Sequence, residues 1–277
     1  MLKPQQIVCD SATVLGTEAR GAVVLCGSHG GVYPAYLAAA VGVCAVIFND
    51  AGVGREGAGI AGLHYLQTLG IAAAATSHGS ARIGDGADAS QRGRISYANA
   101  AAALLGIVRD MPVREAMERL SAQADQRQSV LPKVKESRTR LPSVPSERLA
   151  VVLLDSASLV DPQDRGQIIV TGSHGGLLGG RPETALKIEA FAAGFNDADV
   201  GIDHAGIGRL PALDTRAIAA ATVSAWSARI GDGQSSYRDG FISHLNDIAR
   251  HYGATIGMST RDFVHAMQGA ARGKGDI

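Results

Sequence analysis

Three short polar motifs occur twice in this chain, and their residue types suit acid–base and anion chemistry. The first is Gly27-Ser28-His29-Gly30-Gly31, repeated as Gly172-Ser173-His174-Gly175-Gly176. An apolar run feeding a glycine-rich turn ahead of a helix presents successive backbone N–H groups to an anion, and glycine lets a ligand come close to the main chain. The second is Asn49-Asp50, repeated as Asn196-Asp197. A carboxylate at a strand end orients an imidazole, ligates a metal or acts as a base, and it serves equally well to open an Asx turn. The third is the heptapeptide SARIGDG, Ser80 to Gly86 and Ser227 to Gly233. Arg82 and Arg229 present a fork matched to a carboxylate or phosphate; Asp85 and Asp232, three residues on, are placed to pin that fork instead.

These motifs predict a small-molecule enzyme acting on a small, carboxylate-like anion, with hydrolysis the favoured chemistry and isomerisation the neighbouring class. His29, Asp50, His174 and Asp197 are the expected proton-handling groups. Ser28, Gly30, Gly31, Asn49, Ser80, Arg82 and Asp85 are the expected substrate contacts, with Ser173, Gly175, Gly176, Asn196, Ser227, Arg229 and Asp232 as their counterparts. The alternative is a protein that binds a small anion or nucleotide with the same loops and does no chemistry. Ser28 and His29 are adjacent, so their side chains tend to point apart and are not taken as a nucleophile–base pair, and no Gly-x-Ser-x-Gly nucleophile elbow occurs. His29, Asp50 and Asp85 supply donors for a divalent metal, but HExxH, CxxC and EF-hand spacings are absent, so a metal is not the favoured expectation.

The motifs recur because nearly the whole chain is duplicated. Asp10 to Gly31 matches Asp155 to Gly176 at an offset of 145 residues, and the offset becomes 147 from Phe48/Phe195 through Arg114/Arg261. Residues 1–125 and 148–277 form the two units, joined by a polar, basic, proline-bearing linker at 126–147. Each unit alternates apolar strands with helices, which predicts an α/β fold of two tandem homologous units related by pseudo-twofold symmetry. Its sheets are expected to be mainly parallel, doubly wound and flanked by helices. Strands are expected at Ile7–Cys9, Ala22–Cys26, Val43–Phe48 and Ile71–Thr76, and at Val151–Leu154, Gln167–Thr171 and Ile218–Val223. Helices are expected at Pro34–Val41, Glu183–Ala190, Ser96–Leu105 and Ser243–Tyr252, with Ser96 and Ser243 as N-caps. All three motifs then fall at the carboxyl ends of strands, where such sheets bind ligands. The copies differ at His78/Ala225, Glu56/Asp203 and Gly57/His204, positions able to decide which copy works.

Composition narrows the partners. The 277 residues carry 26 Lys+Arg against 26 Asp+Glu, and aromatic residues make up 4%. Neither the charge nor the stacking surface that nucleic acid requires is present, and no anionic membrane is implied. Residues 31–48 are uncharged but broken by Pro34 and Gly42, so no membrane span is expected. Cys9, Cys26 and Cys44 read as buried small hydrophobes in a reducing compartment, and no signal peptide is visible, which together predict a cytoplasmic protein. A small-molecule ligand is the expected partner; self-association into a homo-oligomer stays open. In architecture the chain resembles two-unit α/β racemases, and its His-Gly after a strand resembles caspase-like folds. Both chemistries need a cysteine beyond a strand, whereas Ala51 and Ala198 stand beside the Asn-Asp pairs. Neither function is carried over.

Overall fold

Runs of buried, small and β-branched residues build the sheets. A computed structural model describes residues 4–123, 131–142 and 149–273. β1 (Gln6–Cys9), β2 (Val23–His29), β3 (Ala45–Asn49) and β4 (Ala72–Thr76) lie side by side in that order and parallel, and β5 (Ile95–Ala98) closes the sheet antiparallel to β4. β7 (Val151–Leu154), β8 (Ile168–His174), β9 (Ala192–Asn196) and β10 (Ala219–Val223) repeat the arrangement, with β11 (Ile242–Leu245) antiparallel to β10. β6 (Arg138–Arg140) adds an antiparallel edge to β7. The fold is therefore α/β, with two mainly parallel sheets of five and six strands flanked by helices.

Alternate strand residues face opposite layers. In the first sheet Val24, Cys26, Val46 and Phe48 pack under α1 (Val32–Val41) and α2 (Ala61–Thr68). Val23, Leu25, Ala45 and Ile47 pack under α3 (Gly86–Arg92), α4 (Ala100–Leu104) and α5 (Val113–Gln123). The second sheet is covered by α6 (Arg209–Asp214) on one face and by α8 (Asp247–His251) and α9 (Thr260–Gly273) on the other, with α7 (Gly233–Asp239) beside β7 and β8. Burial on both faces explains why β3 and β4 are apolar up to their last residues, Asn49 and Thr76, rather than alternating.

Four expectations change. The strand order runs straight through each sheet, so neither sheet is doubly wound and neither has a switch point of its own for a ligand. The helix expected over Glu183–Ala190 is absent; only a 3-10 turn, Pro182–Thr184, forms there. The carbonyls of that stretch are taken instead by two guanidinium groups, Arg209 donating to Ala185 O and Arg216 to Leu186 O and Ile188 O. Ser96 and Ser243 lie in strands, and the helices start later, capped by Asn99 and Asn246, whose Oδ1 atoms accept from Ala102 N and Ala249 N. Finally, the stretch read as linker contains β6, whose Arg138 grips the fully buried Asp164 through both carboxylate oxygens at 2.7 and 2.8 Å.

Candidate active site

The two halves meet along the carboxyl ends of their sheets, through contacts that recur in exchange. Arg55 N donates to Ala225 O at 2.7 Å, and Ile202 N to His78 O at 2.9 Å. Arg82 reaches Asp203 at 3.4 Å, and Arg229 reaches Glu56 at 3.1 Å. Ala51, Ile83, Ala198, Ala205 and Ile230 form a small buried apolar cluster at this joint.

The joint holds strained backbone. Ala51, Gly52, Val53 and Gly54 all have positive φ, and so do Ala198, Asp199, Val200 and Gly201. Left-handed β-branched residues such as Val53 and Val200 persist only where the surroundings over-determine them. The Asn-Asp pairs provide that hold. Asn49 accepts from Ala51 N and donates to Ala81 O; Asn196 does the same with Ala198 N and Ala228 O. Asp50 accepts from Gly52 N and His78 N, and Asp197 from Asp199 N and Ala225 N. These four side chains face the joint and line no part of the cavity described next.

A cavity of about 420 Å³ opens between the halves, lined by Ser28 and His29 from the first and by Ser173, His174, Arg229 and Asp232 from the second. His29 and His174 end β2 and β8 and are almost fully buried. The Nδ1 of His29 accepts from Gly31 N at 3.1 Å, and that of His174 from Gly176 N at 3.2 Å. A ring nitrogen that accepts carries no proton, so in the neutral ring the proton sits on Nε2. Neither Nε2 has a hydrogen-bond partner among the described residues. Burial holds the His29 imidazole down at about 4. Burial also lowers His174 well below its usual range, reinforced by the charge of Arg209 and by His29. Both imidazoles that line the cavity are thus neutral, with the proton on Nε2.

Each imidazole lies against the glycine loop of the opposite half. A Cβ on Gly231 would stand 3.3 Å from His29 Cε1; a Cβ on Gly84 would stand 3.0 Å from His174 Cε1 and 2.6 Å from Leu177 O. Both glycines also have positive φ, 80° and 81°. Gly231→Ala is expected to destabilise by about 1–2 kcal/mol, the cost of a left-handed alanine and a displaced ring. Gly84→Ala should cost more, because a backbone carbonyl yields less than a side chain. Urea unfolding of the two variants checks that order, and a reversed ranking would contradict the packing described.

The glycine amides are not free for a ligand. Gly30 N donates to Asn49 O and Gly175 N to Asn196 O, while Gly31 N and Gly176 N hold the imidazoles. The expected anion nest is therefore occupied by the protein itself. Ser28 and Ser173 accept from Ala12 N and Ala157 N. Ser80 and Ser227 brace their own loops, accepting from Arg94 N and Phe241 N. Arg82 is committed to Asp85, Asp88 and Asp203. Asp85 and Asp232 cap α3 and α7. Among the described residues no group of three or more His, Cys, Asp and Glu side chains is arranged to hold a metal ion.

Arg209, at the start of α6, is a lining residue that the motifs did not indicate. It is 5% exposed, donates to Gly176 O and Ala185 O, and lies 4.9 Å over the Phe195 ring. It has no ion-pair partner among the described residues. Burial lowers its guanidinium to about 10, which leaves it charged. A buried cation without a counter-ion is costly, and a lining position lets a ligand anion supply one. Glu136 and Asp155 form a second unexpected group. Burial and the neighbouring Asp155 push Glu136 up to about 7, against the effect of Ser156 and Tyr33 hydrogen bonds. Burial also raises Asp155, although Ser137 N and Gly233 N donate to it. Asp155 was visible as the end of a repeated strand; Arg209 faces Gly62 in the other copy, and Glu136 has no counterpart.

His78, where the second copy has Ala225, bridges the joint. Its Nδ1 is 2.8 Å from Asp50 and its Nε2 is 3.4 Å from Asp199. The Asp50 bond raises His78 against the opposing effect of burial. Burial raises Asp50, but the His78 side-chain and backbone bonds outweigh it and hold the carboxyl below 3.8. The pair therefore stabilises from about pH 4, is lost on the acid side as Asp50 protonates, and is lost on the alkaline side as His78 deprotonates above 6.5. His78→Ala is expected to cost about 1 kcal/mol near pH 5.5 and less at pH 9. Thermal unfolding at the two pH values checks this; an equal deficit at both would exclude a charged pair.

No family model, curated protein or solved structure matches the chain. No helix among the described residues is long and apolar enough to cross a membrane.

Proposed function

We propose that the chain is an enzyme of the hydrolase or isomerase class acting on a small carboxylate-like anion, bound in the cavity between two halves related by an approximate twofold axis. One observation carries this reading: Arg209 is buried without an ion-pair partner among the described residues, on the wall of a cavity also lined by two neutral imidazoles whose Nδ1 atoms are already engaged. Arg209 anchors the carboxylate. His29 and His174 donate Nε2–H to an oxygen on which negative charge develops, a pre-organised electrostatic role that a neutral, low-pKa imidazole fills better than a charged one. Glu136, titrating near neutrality, exchanges the proton with water or with substrate carbon. Asp50 and Asp197, at the joint, act on the site only by holding its loops.

The experiment is a thermal-shift screen of small organic acids, followed by proton NMR of each stabilising acid incubated with the protein. Stabilisation with conversion, abolished in His29→Asn or His174→Asn, is the expected result. Stabilisation without conversion of any acid would leave a non-catalytic binding protein, and no stabilisation by any carboxylate would overturn the reading altogether.

A further inference from the structure

The cavity wall opposite in character to Arg209 is formed by two carboxyl groups that have no cation. Glu136 precedes β6 and Asp155 directly follows β7; Asp155 Oδ2 accepts from Ser137 N, which ties the two residues to adjacent backbone. Both line the cavity, and neither forms an ion pair among the described residues. The groups around Glu136 are Tyr33 from the start of α1, Ser156, and Asp155, with Asp232 behind Asp155. Lys135 and Lys187 also reach the cavity wall, but Lys187 Nζ is directed to Ser158 O at 3.4 Å. Two facing carboxyl groups are mutually unfavourable, and either a shared proton or a cation relieves them. The ligand-directed groups of the same cavity are the buried His29 and His174, whose Nε2 atoms have no partner among the described residues.

Resting on the reading above, we infer that the substrate is an amino carboxylate. Its carboxylate pairs with Arg209 and its ammonium sits between Glu136 and Asp155. The cavity wall carries a cation without an ion-pair partner and two carboxyl groups without one, and a zwitterion offers a partner to each. A plain carboxylate offers one only to the cation. The arrangement also has a consequence for protons. In the empty cavity Glu136 is largely protonated below about pH 7. An ammonium beside it favours the ionised form, so binding releases a proton to solvent and leaves Glu136 as a carboxylate base next to the substrate.

The test is isothermal titration of the full chain with matched pairs: 4-aminobutanoate against butanoate, lysine against hexanoate, and phenylalanine against 3-phenylpropanoate. Each is measured at pH 6.5 in two buffers of different ionisation enthalpy. At least one amino carboxylate is expected to bind 10-fold or more tighter than its partner and to release protons on binding. In Glu136→Gln, which is nearly isosteric, the preference and the proton release should both disappear while the plain carboxylate binds as before; its circular dichroism and melting temperature report that the variant is folded. Asp155→Asn gives a second reading of the same preference. Equal affinity within every pair, preference for the plain acid, or no binding by any of the six compounds would overturn the inference. Plain carboxylates that bind equally well and lose affinity in Arg209→Met would remove the ammonium site and keep the anion anchor. Binding that ignores Arg209→Met would remove the anchor itself.

Discussion

If Arg209 anchors a carboxylate as proposed, Arg209→Met is expected to weaken carboxylate binding by about 100-fold, close to 3 kcal/mol, because the buried guanidinium would be the ligand's counter-charge. The same change also strips donors from Gly176 O and Ala185 O, so some stability will be lost, on the order of 1–3 kcal/mol for each carbonyl left unpaired. A control separates the two effects. Arg216 donates to Leu186 O and Ile188 O in the same irregular stretch but does not line the cavity. Arg216→Met should therefore lower the melting temperature and keep the affinity, whereas Arg209→Met lowers both. Calorimetric titration and thermal unfolding of the pair measure this. Wild-type affinity in Arg209→Met would mean that the anion, if bound, sits elsewhere.

Acid is expected to destabilise the fold through the two imidazoles. An unfolded histidine protonates near 6.5, while His29 in the fold resists protonation until about 4. Between those values the unfolded chain binds more protons than the folded one, so stability rises with pH and falls as pH is lowered through the window. For His29 alone the loss between pH 7.5 and pH 4.5 is about 2.5 kcal/mol, and His174, lowered in the same direction, adds to it. His29→Asn keeps an oxygen acceptor in reach of Gly31 N but removes the titration. Urea midpoints of His29→Asn and His174→Asn should therefore decline less steeply than wild type over this range. Parallel declines in all three proteins would show that the imidazoles are protonated in the folded state and that the Nε2–H donors do not stay neutral there.

Local signals carried far because they concern the main chain. The apolar runs at Ile7, Ala22, Val43, Ile71 and Val151 each became a strand starting within two residues of the expected position, since a buried parallel strand needs only an uninterrupted apolar stretch and a turn at each end. The helix after β8 failed for a reason outside its own sequence. Residues 183–190 contain acceptable helix formers, but Arg209 and Arg216 arrive from 24 to 30 residues away and take the carbonyls a helix would have used. Ser96 illustrates the same point at shorter range: its helix-like context is overridden by pairing of β5 with β4.

The duplicated motifs drew attention to the right region and blurred the division of labour within it. Repetition marks whatever both halves need, and both halves need their joint held. That is why Asn49, Asp50, Asn196 and Asp197 are repeated, and why Arg82 and Asp85 recur as Arg229 and Asp232. Groups that a single shared cavity needs once leave no such mark. Arg209 stands opposite a glycine, and Glu136 comes from a segment with no partner in the first half.

The sequence by itself determined most of the parallel strands, the repetition of the three motifs, and the presence of His29 and His174 at matching strand ends. Those features follow from local apolar patterning and from backbone geometry, which neighbours along the chain specify. Only the tertiary structure decided which polar groups remain available to a ligand. A carboxylate, amide or guanidinium reads the same in sequence whether it clamps a loop or faces a cavity, and the choice depends on which partner the folded chain brings within hydrogen-bond reach. Among the described residues, folding occupies the glycine amides, the Asn-Asp pairs and Arg82, and leaves His29, His174, Arg209, Glu136 and Asp155 on the wall of one cavity without an ion-pair partner.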